Sequence, residues 1–394
     1  MTVEHLLRER LKVLCENIGP RPVGSSNNQK AVSYIEKVLK DNGFTVEQQP
    51  FDCIEWSAGK ASLHISGKEI SVRPSDYTLP CDVKADLCTI GSLQELEKAQ
   101  LQGHIALLHG SLVYEPLMPK NFTFYNPEEH QQIIHLLEKK KPAAILTYAF
   151  KEGTPVPIIT DGDFDIPCAV ISEPVHKVLF KSAGKKAHLI ITSRRSPSRA
   201  ANIIARLHPA ADEKLIFSAH IDTAPGTPGA LDNGGGVACL LTLSDTLTAK
   251  NIQTGIELVF FNGEDYYSAP GETIYLGKYQ HMFASVKLAV NCDGVGLKNS
   301  TNCFSCFSCP ESLHKYILSL ASNYPDLVET DPWYQGDHML FTMQKVPALA
   351  CTSSGIFDLL ENVIHTPNDT IDMIDIQQLL SFTRFLSDIC ERKF

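Results

Sequence analysis

Residues of the types that bind metal ions follow the apolar runs in the middle of this chain. Short aliphatic or β-branched runs bounded by glycine and polar residues are typical of buried strands. Ligands of open α/β sheets bind outside the carboxyl ends of the strands, which is where these residues fall. The pattern therefore predicts a metal site. The runs are residues 215–219 before His220 and Asp222, residues 256–261 before Glu264 and Asp265, and residues 288–292 before Asp293.

Two further stretches carry candidate ligands. Asp232 stands in the glycine-rich segment 229–236, where a tight turn entering a helix would hold its carboxylate firmly enough to bridge two metals. Asp337, His338 and His365 lie nearer the C-terminus. Histidine, aspartate and glutamate supply the nitrogen and oxygen ligands that zinc takes at about 2.0–2.2 Å. Together these stretches predict a zinc site built from distant parts of the chain.

Local spacing gives some of these residues distinct roles. Asp222 is two residues from His220, so on an extended backbone both side chains point the same way. We therefore expect the Asp222 carboxylate to orient the imidazole of His220 from behind the metal. Glu264 and Asp265 are adjacent and cannot point in one direction from an extended chain end. One of the two would bind the metal, and the other would face the bound water as general base.

Electrostatics favours a metal over a chance grouping of acids. Two like charges about 4 Å apart repel by about 4 kcal/mol at an effective dielectric near 20. Asp232, Glu264, Asp265 and Asp293 would raise one another's pKa values on converging unless a cation lay between them. Three ligand carboxylates and two neutral histidines leave a pair of divalent ions with one spare positive charge. A bridging hydroxide would balance it, and two-metal hydrolysis uses such a nucleophile.

The length of 394 residues exceeds the size at which one hydrophobic core keeps growing, so we expect a large domain and a smaller one. Strand and helix signals alternate in residues 1–56 and 197–394, which predicts one α/β domain in two segments. Residues 57–196 read as short strand-like pieces with one clear helix, at residues 128–140. This stretch is predicted to be an inserted, smaller β-rich domain.

Composition excludes some classes of partner. The net charge of -10 gives no electrostatic reason to expect nucleic acid or an anionic membrane, and no apolar stretch is long enough to span a bilayer. The first ten residues read as a charged amphipathic helix without the apolar core of a signal peptide. Twelve cysteines in such a chain fit a reducing compartment, so we expect a cytoplasmic location.

Weaker signals are assigned structural roles. Arg21, in a loop rich in glycine and proline, is predicted to be a structural tie rather than a functional cation. Cys303, Cys306 and Cys309 recur at every third residue, but no fourth ligand stands at matching spacing, so buried free thiols are favoured over a metal site. The histidines of the insert lack acidic companions at useful spacing and are predicted to be ordinary. They are His104, His109, His130 and His135.

Five motifs in chain order resemble those of a known family. The family is that of the zinc aminopeptidases that include the bacterial leucyl aminopeptidases, and it also contains glutamate carboxypeptidase II, the transferrin receptor ectodomain and glutaminyl cyclase. The resemblance covers about residues 1–55 and 200–394, and the insert looks like the protease-associated domain of many relatives. The motifs are His220-Ile221-Asp222 with residues 229–233, Glu264-Asp265, Asn291-Cys292-Asp293, Gly336-Asp337-His338, and residues 365–370.

The resemblance implies a mixed central sheet flanked by helices and a pair of zinc ions, or other divalent metals in their place. It makes Glu264 the acid/base. It places Asp337 near the substrate or behind the metals, and His338 beside the substrate. Its implied ligands are His220, Asp232 and Asp293 for one zinc, and Asp232, Asp265 and His365 for the other.

Two positions depart from the family pattern. Relatives usually have a second glutamate where Asp265 stands, so the metal contact here would be weaker or longer. Some have a tyrosine where Ile364 stands, so the oxyanion would be stabilised by zinc or another donor.

The leading hypothesis is an aminopeptidase that hydrolyses N-terminal residues from peptides through a hydroxide bound to two zinc ions. A glutaminyl-cyclase-like acyltransferase with one zinc is an alternative. A non-catalytic binding protein on the same fold is another, and carboxypeptidase action also stays open. The oligomeric state is not predicted.

Overall fold

Helices and strands alternate along most of the chain in the computed structural model, which describes residues 2–122, 126–151, 153–248, 250, 252–266, 269–359 and 362–392. The α-helices are α1 (Val3–Leu11), α2 (Ser26–Asp41), α3 (Leu93–Lys98), α4 (Glu128–Lys140), α5 (His176–Phe180), α6 (Gly235–Leu247), α7 (Pro270–Tyr279), α8 (Glu311–Ala321), α9 (His338–Thr342) and α10 (Ile376–Ile389). Shorter helical turns, of 3-10 or π type, join several of them.

The strands run from residue 45 to residue 353. They are β1 (Thr45–Ser57), β2 (Ala61–Ile65), β3 (Lys68–Ile70), β4 (Val72–Pro74), β5 (Cys81–Ile90), β6 (Ile105–His109), β7 (Ala144–Tyr148), β8 (Phe150–Lys151), β9 (Thr154–Pro155), β10 (Cys168–Ile171), β11 (Lys186–Ile191), β12 (Arg194–Leu207), β13 (Lys214–His220), β14 (Gly255–Phe261), β15 (Val286–Cys292), β16 (Asn302–Phe307), β17 (Leu327–Glu329) and β18 (Ala348–Ser353).

Contacts divide the chain into two units. Unit 1 comprises residues 1–53 and 198–394, and unit 2 comprises residues 54–197. These boundaries lie within three residues of those predicted from composition, at 56/57 and 196/197.

Unit 1 is built on an eight-stranded sheet in the order β1-β12-β14-β13-β15-β18-β16-β17. The neighbours β14, β13, β15 and β18 are parallel, whereas β12 and β16 join them antiparallel. The sheet is therefore mixed, which confirms the predicted fold class. Its parallel strands are buried on both faces, as their near-continuous apolar sequences require.

Helix α6 packs against β13, α1 and α10. Most of its residues are buried, because its sequence is apolar almost all round. Glycine at its start has a steric reason: a Cβ on Gly236 would come within 2.4 Å of the Cys292 carbonyl oxygen. The glycines therefore let the helix begin directly against the end of β15.

Unit 2 contains a second eight-stranded sheet, in the order β3-β2-β11-β5-β6-β7-β10-β4. Strands β5, β6, β7 and β10 are parallel neighbours, and the others pair antiparallel. Two apolar clusters fill this unit. The predicted helix at residues 128–140 is α4, and the predicted strand at residues 61–65 is β2.

The helices of the N-terminal segment follow one another closely. Helix α1 ends at Leu11, and a π-helical turn, Lys12–Ile18, follows it. The cap of α2 is Ser25, whose side-chain oxygen accepts a hydrogen bond from the Asn28 amide. Among the residues described, no helix is long and apolar enough to cross a membrane.

Candidate metal centre

The parallel strands of unit 1 bring the predicted ligands to one edge of the sheet. Strand β13 ends at His220, which is paired with Phe261 at the end of β14. Strand β15 ends at Cys292, so Asp293 follows on the same edge. Because parallel strands run in the same direction, the residues that follow them lie close together at one edge of the sheet.

One group of donor atoms joins His220, Asp232 and Asp293. The Nε2 atom of His220 lies 3.0 Å from the Oδ1 atom of Asp232 and 3.5 Å from the Oδ1 atom of Asp293. One ligand atom from each of the three lies within 4.8 Å of the others. His220 is buried at the sheet edge, and Asp293 is partly open to solvent.

A second group joins Asp232, Asp265 and His365. The Nε2 atom of His365 lies 3.0 Å from the Oδ2 atom of Asp232 and 2.9 Å from the Oδ1 atom of Asp265. Asp232 thus offers one oxygen to each group. Asp265 reaches His365 although its side chain is shorter than the glutamate of relatives, so the structure brings all five predicted ligands together in two triplets that share Asp232.

The donor atoms are better placed to bind metal ions than to form hydrogen bonds with one another. Neither ring nitrogen of His220 has a hydrogen-bond partner among the described residues, although Nε2 is 3.0 Å from a carboxylate oxygen. Donors about 3 Å apart are what a zinc ion with bonds of about 2.0–2.2 Å would need around it. Two imidazoles and three carboxylates form a borderline-soft nitrogen and oxygen set that zinc accepts.

Charge at the site supports this assignment. Burial acts to lower the pKa of His220, but Asp293, Asp222 and Asp232 raise it well above its ordinary value. Asp265 and Asp232 likewise raise the pKa of His365 against the effect of burial. The carboxylates therefore draw positive charge onto both imidazoles, a role that two divalent ions would fill.

Glu264 stands beside the two donor groups without belonging to either. It lines the cleft described below. Burial raises its pKa well above the ordinary value; the nearby His220 opposes this effect, and Asp265, Asp293 and Asp232 add to it. A carboxyl group with a raised pKa beside a metal centre is suited to accept a proton and pass it on.

Asp222 lies beside His220, as predicted, but does not hydrogen-bond to its ring. Its Oδ1 atom lies 3.8 Å from the His220 Nδ1 atom, which is too long for a hydrogen bond. Instead its two oxygens accept from the amides of Gly263 and Asp265, at 2.7 and 3.0 Å. The prediction is corrected because these backbone donors, brought by the neighbouring strand, satisfy the carboxylate. Asp222 therefore positions the loop that carries Glu264.

Asp369 holds the shared aspartate from behind. Its two carboxylate oxygens accept from the amides of Leu231 and Asp232, at 2.7 and 3.0 Å. Burial raises the pKa of Asp369 to about 6. In the sequence, Asp369 stood out only as part of the last motif. Its contact with Asp232 spans 137 residues, so no local sequence pattern predicts it.

Arg21 is a fully buried structural tie, in agreement with the prediction. Its guanidinium donates to the carbonyl oxygens of Ile221, Pro228 and Gly229, at 2.6, 2.7 and 3.0 Å. These carbonyls belong to the segments that carry Asp222 on one side and Asp232 on the other. One cation therefore joins two loops of the centre.

Asp337 lies behind the cleft and not in its described wall. It is buried beside Glu272, and burial together with Glu272 raises its pKa well above the ordinary value. The resemblance placed Asp337 near the substrate or behind the metals, and its burial at the start of α9 fits the second position. Glu272, in α7, is fully buried and was not identified from the sequence, where it reads as an ordinary helix residue.

His338 does line the cleft. Its Nε2 atom is 3.0 Å from the Trp333 carbonyl oxygen, and its ring packs on the rings of Phe307 and Trp333, at 5.1 and 5.5 Å between centroids. Burial lowers its pKa. His338 is thus a neutral, packed wall residue.

The cleft has a volume of about 190 Å³ and opens at the donor groups. Its floor carries the carboxylates of Asp232, Glu264 and Asp293 and the imidazole of His365. One wall is apolar. The described apolar wall residues are Trp333, Ile356, Phe357 and Ile364.

The solved structures most informative for the fold are aminopeptidases. The aminopeptidase from Aneurinibacillus sp. strain AM-1 aligns with a TM-score of 0.76 at 20% identity, over 98% of this chain and 92% of that one. BSAP, a zinc aminopeptidase from Bacillus subtilis, aligns with a TM-score of 0.75 at 20% identity, over 98% and 93%. At this identity the likeness establishes the fold.

The curated relatives align with a smaller share of this chain than these solved structures do. Probable lipoprotein aminopeptidase LpqL of Mycobacterium tuberculosis is 23% identical over 64% of this chain and 50% of its own length. Carboxypeptidase Q of Mus musculus is 24% identical over 58% and 52%. The chain thus spans about half the length of the curated relatives it matches first.

The family model that matches is Peptidase family M28, over residues 202–389. That segment contains every residue of both donor groups, together with Glu264 and Asp369. The zinc-peptidase resemblance found in the motifs is therefore confirmed, and residues 202–389 of this chain match the model of Peptidase family M28.

Proposed function

We propose that the protein is a zinc aminopeptidase that removes N-terminal residues from peptides with two zinc ions in one centre. The observation that carries the proposal is Asp232, which offers one oxygen to each of two histidine-containing donor groups. Glu264 stands beside both groups at the same end of the sheet. This is the arrangement that metal-assisted hydrolysis of an amide requires.

The donor groups, Glu264 and Asp222 have separate roles in the proposed hydrolysis. Zinc held by the two donor groups would polarise the scissile carbonyl and lower the pKa of a water molecule. Glu264 takes a proton from the attacking water as its oxygen adds to the carbonyl carbon. It then gives that proton to the leaving amine as the carbon–nitrogen bond breaks. Asp222 holds the Glu264 loop in place through the amides of Gly263 and Asp265.

The charge of the cleft favours a free N-terminus over a free C-terminus. Among the described residues that line it, none is lysine or arginine, so no side-chain cation there would bind a terminal carboxylate. Three carboxylates line the floor instead, but two of them are proposed zinc ligands whose charge the metals would neutralise. The lack of a lysine or arginine among the described lining residues, rather than these carboxylates, therefore argues for aminopeptidase over carboxypeptidase action.

The apolar wall supports a preference for substrates with an apolar first residue. The indole of Trp333 and the ring of Phe357 meet edge to face, with 6.2 Å between centroids, and half of Phe357 is exposed. An aliphatic or aromatic side chain placed there would cover that surface and gain about 25 cal/mol per Å² buried.

Replacement of Glu264 by glutamine tests the mechanism. We expect Glu264→Gln to keep its zinc content and to lose about 10²–10⁴-fold in kcat, because only the proton transfer is removed. Glu311→Gln, which changes an exposed glutamate of α8, is the matched control and should leave both unchanged. Near-normal turnover by Glu264→Gln would refute the assignment.

A substrate panel tests the reaction class. Zinc-loaded protein should cleave free aminoacyl peptides and spare their N-acetylated counterparts. Cleavage confined to C-terminal residues would indicate a carboxypeptidase instead. Release of ammonia from glutaminyl peptides without hydrolysis, at one zinc per chain, would indicate a glutaminyl-cyclase-like acyltransferase. A folded protein that binds no zinc and cleaves nothing would indicate a binding protein.

Two wider proposals rest on other features. We propose that residues 57–196 are a protease-associated-like domain; an eight-stranded sheet with three helices inserted between β1 and β12 supports this. We also propose a cytoplasmic location, supported by the chain's twelve cysteines, which form no disulfide among the described residues. Fractionation of cells with an antibody to the protein would test the location.

A further inference from the structure

We propose that Cys306, Cys309, His314 and Glu329 form a separate zinc-binding site, here called the thiolate site, at the edge of the unit 1 sheet. Neither the motifs of the zinc-peptidase family nor the proposed mechanism uses these residues. Their donor atoms come from three different elements, so the grouping is a property of the fold and not of local sequence.

Distances bring the donors to one point. The Nε2 atom of His314 lies 2.6 Å from the Oε1 atom of Glu329. One ligand atom each from Cys306, His314 and Glu329 lies within 4.8 Å of the other two. Cys309 lies outside this group of three, and an interaction between the Cys306 and Cys309 thiols makes it the neighbour that would supply a fourth ligand.

Strand register explains why these residues meet. Phe304 in β16 pairs with Glu329 in the parallel strand β17. Cys306 lies two residues after Phe304 and therefore on the same face of the sheet. Phe304 is buried in the core with Leu313 of α8, so this face is the one that α8 covers. His314 follows Leu313 and faces the edge, where Glu329 ends β17.

The turn between β16 and α8 brings in the second thiol. Ser308 has a φ of 52°, and Pro310, with a φ of -56°, precedes the first helical residue. The chain therefore reverses sharply after Cys306, and Cys309 returns toward it. Its thiol also donates to the Ala348 carbonyl oxygen at 3.7 Å, which fixes it against β18.

The donor chemistry selects zinc. Two cysteines separated by two residues, a histidine and a carboxylate make up four ligands, the number that zinc takes in closed structural sites. Thiolates prefer zinc to magnesium or calcium, which bind oxygen. Cys306 and Cys309 are part-buried, and about a third of the side chains of His314 and Glu329 is exposed. The ion would therefore enter from solvent and lie under the two polar side chains.

A metal at this point would brace one wall of the cleft. Glu329 directly precedes the segment that leads to Trp333 and His338, both of which line the cleft. The hydroxyl of Ser305 already donates to the carbonyls of Thr330 and Asp331, at 2.7 and 2.9 Å, and so ties that segment to β16. The thiolate site would be structural: it holds no open position and contacts no part of the cleft floor.

Cobalt(II) distinguishes this site from the centre at Asp232. Cobalt bound to thiolates gives an intense sulfur-to-metal charge-transfer band in the near ultraviolet, and cobalt bound to nitrogen and oxygen alone does not. We expect reduced, full-length protein to develop this band as one cobalt ion binds, and zinc to abolish it. Asp232→Asn should keep the band, so failure of the proposed function would leave this result untouched.

Variants assign the band to its ligands. Cys306→Ser with Cys309→Ser should abolish it. His314→Gln or Glu329→Gln, each at a side chain that is about a third exposed, should weaken cobalt binding by about 10-fold or more. Cys88→Ser, which removes a part-buried free thiol of unit 2, is the control and should change nothing.

Two results would overturn the proposal. One is the absence of a charge-transfer band in the reduced wild type, including the case in which the purified protein carries a Cys306–Cys309 disulfide that reduction opens without metal uptake. The other is a band that survives the double serine variant, since other thiols would then be the ligands.

Discussion

The two units are built on sheets of the same size, yet one carries donor groups and the other carries none among its described residues. Each sheet contains four adjacent parallel strands. In unit 1 Asp293 directly follows β15, Glu264 and Asp265 come three and four residues after the end of β14, and β13 ends in His220. In unit 2, β5 is followed by Gly91 and β10 by Ser172. The edge of a parallel sheet therefore provides only a place, and the residues that follow the strands decide whether chemistry occurs there.

A histidine at the end of a strand does not by itself make a metal site. His109 ends β6 of unit 2 as His220 ends β13 of unit 1. Its ring packs edge to face on Phe180, with 4.7 Å between centroids, and burial lowers its pKa. Where His220 meets two aspartates, His109 meets aromatic rings. The predicted ordinary role of His109 agrees with this packing.

The largest expected effect comes from the shared ligand. Asp232→Asn replaces one of the two shared oxygens by an amide nitrogen and removes the negative charge that both donor groups use. We therefore expect loss of both zinc ions and of activity by about 10³-fold or more, since metal ions supply several kcal/mol to the transition state. His109→Gln, the corresponding strand-end change in unit 2, should leave zinc content and kcat unchanged. Metal analysis and peptide hydrolysis measure both. Zinc loss in His109→Gln would break the comparison.

The carboxylates that accept backbone amides provide the next test. Asp369 accepts two amides in unit 1, and Asp161 accepts those of Lys120 and Asp163, both at 2.6 Å, in unit 2. Asp369→Asn should weaken zinc binding or activity by about 10–100-fold, because the shared aspartate loses its anchor. Asp161→Asn should lower stability alone. Competition with a chelator measures zinc affinity, and equal zinc affinities for the two variants would contradict the role of Asp369.

A third pair concerns two arginines that each donate to three carbonyl oxygens, Arg21 fully buried and Arg195 partly buried. Arg195 of unit 2 donates to the carbonyls of Tyr77, Gly162 and Phe164, much as Arg21 does in unit 1. Replacing either by glutamine leaves buried carbonyls unpaired, which we expect to cost about 1–3 kcal/mol of unfolding free energy. Urea titration measures it. Arg21→Gln should also weaken zinc binding by a few-fold and Arg195→Gln should not; unchanged zinc affinity in both would limit Arg21 to stability.

The smallest effect is a pH dependence of unit 1. Burial would raise the pKa of Glu47, but hydrogen bonds from Lys278, Tyr279 and Arg206 lower it to about 2, below the ordinary 4.5. A lowered pKa stabilises the fold above the ordinary value, and this contribution is lost as the pH falls from about 4.5 toward 2. Glu47→Gln should therefore lose stability at neutral pH and show a shallower acid transition by circular dichroism. Parallel acid curves would refute this.

Much of the centre could be predicted because its ligands have local signals. His220, Glu264 and Asp293 each follow an apolar run, and those runs are strands β13, β14 and β15, with His220 itself the last residue of β13. The closing helix, expected at residues 375–390, is α10, Ile376–Ile389. Periodicity and strand ends are properties of short windows, so they can be read without knowledge of the fold.

The rest depends on contacts between distant residues. Asp222 was expected to reach the imidazole beside it, but the backbone amides that it accepts belong to a loop 41 residues away. The partners of Cys306 come from α8 and β17, and no spacing rule would have found Glu329. Glu272 gave no signal, because a glutamate in a helix is ordinary until the fold buries it.

The number of residues between His365 and Asp369 is fixed by the contacts that both make with Asp232. His365 has a φ of 58°, and its ring contacts one carboxylate oxygen of Asp232. Asp369 accepts a hydrogen bond from the main-chain amide of Asp232. A residue gained or lost between them would leave one of the two contacts out of reach. Length variation among homologous sequences should therefore be tolerated before residue 365 and after residue 369, and be excluded inside that interval.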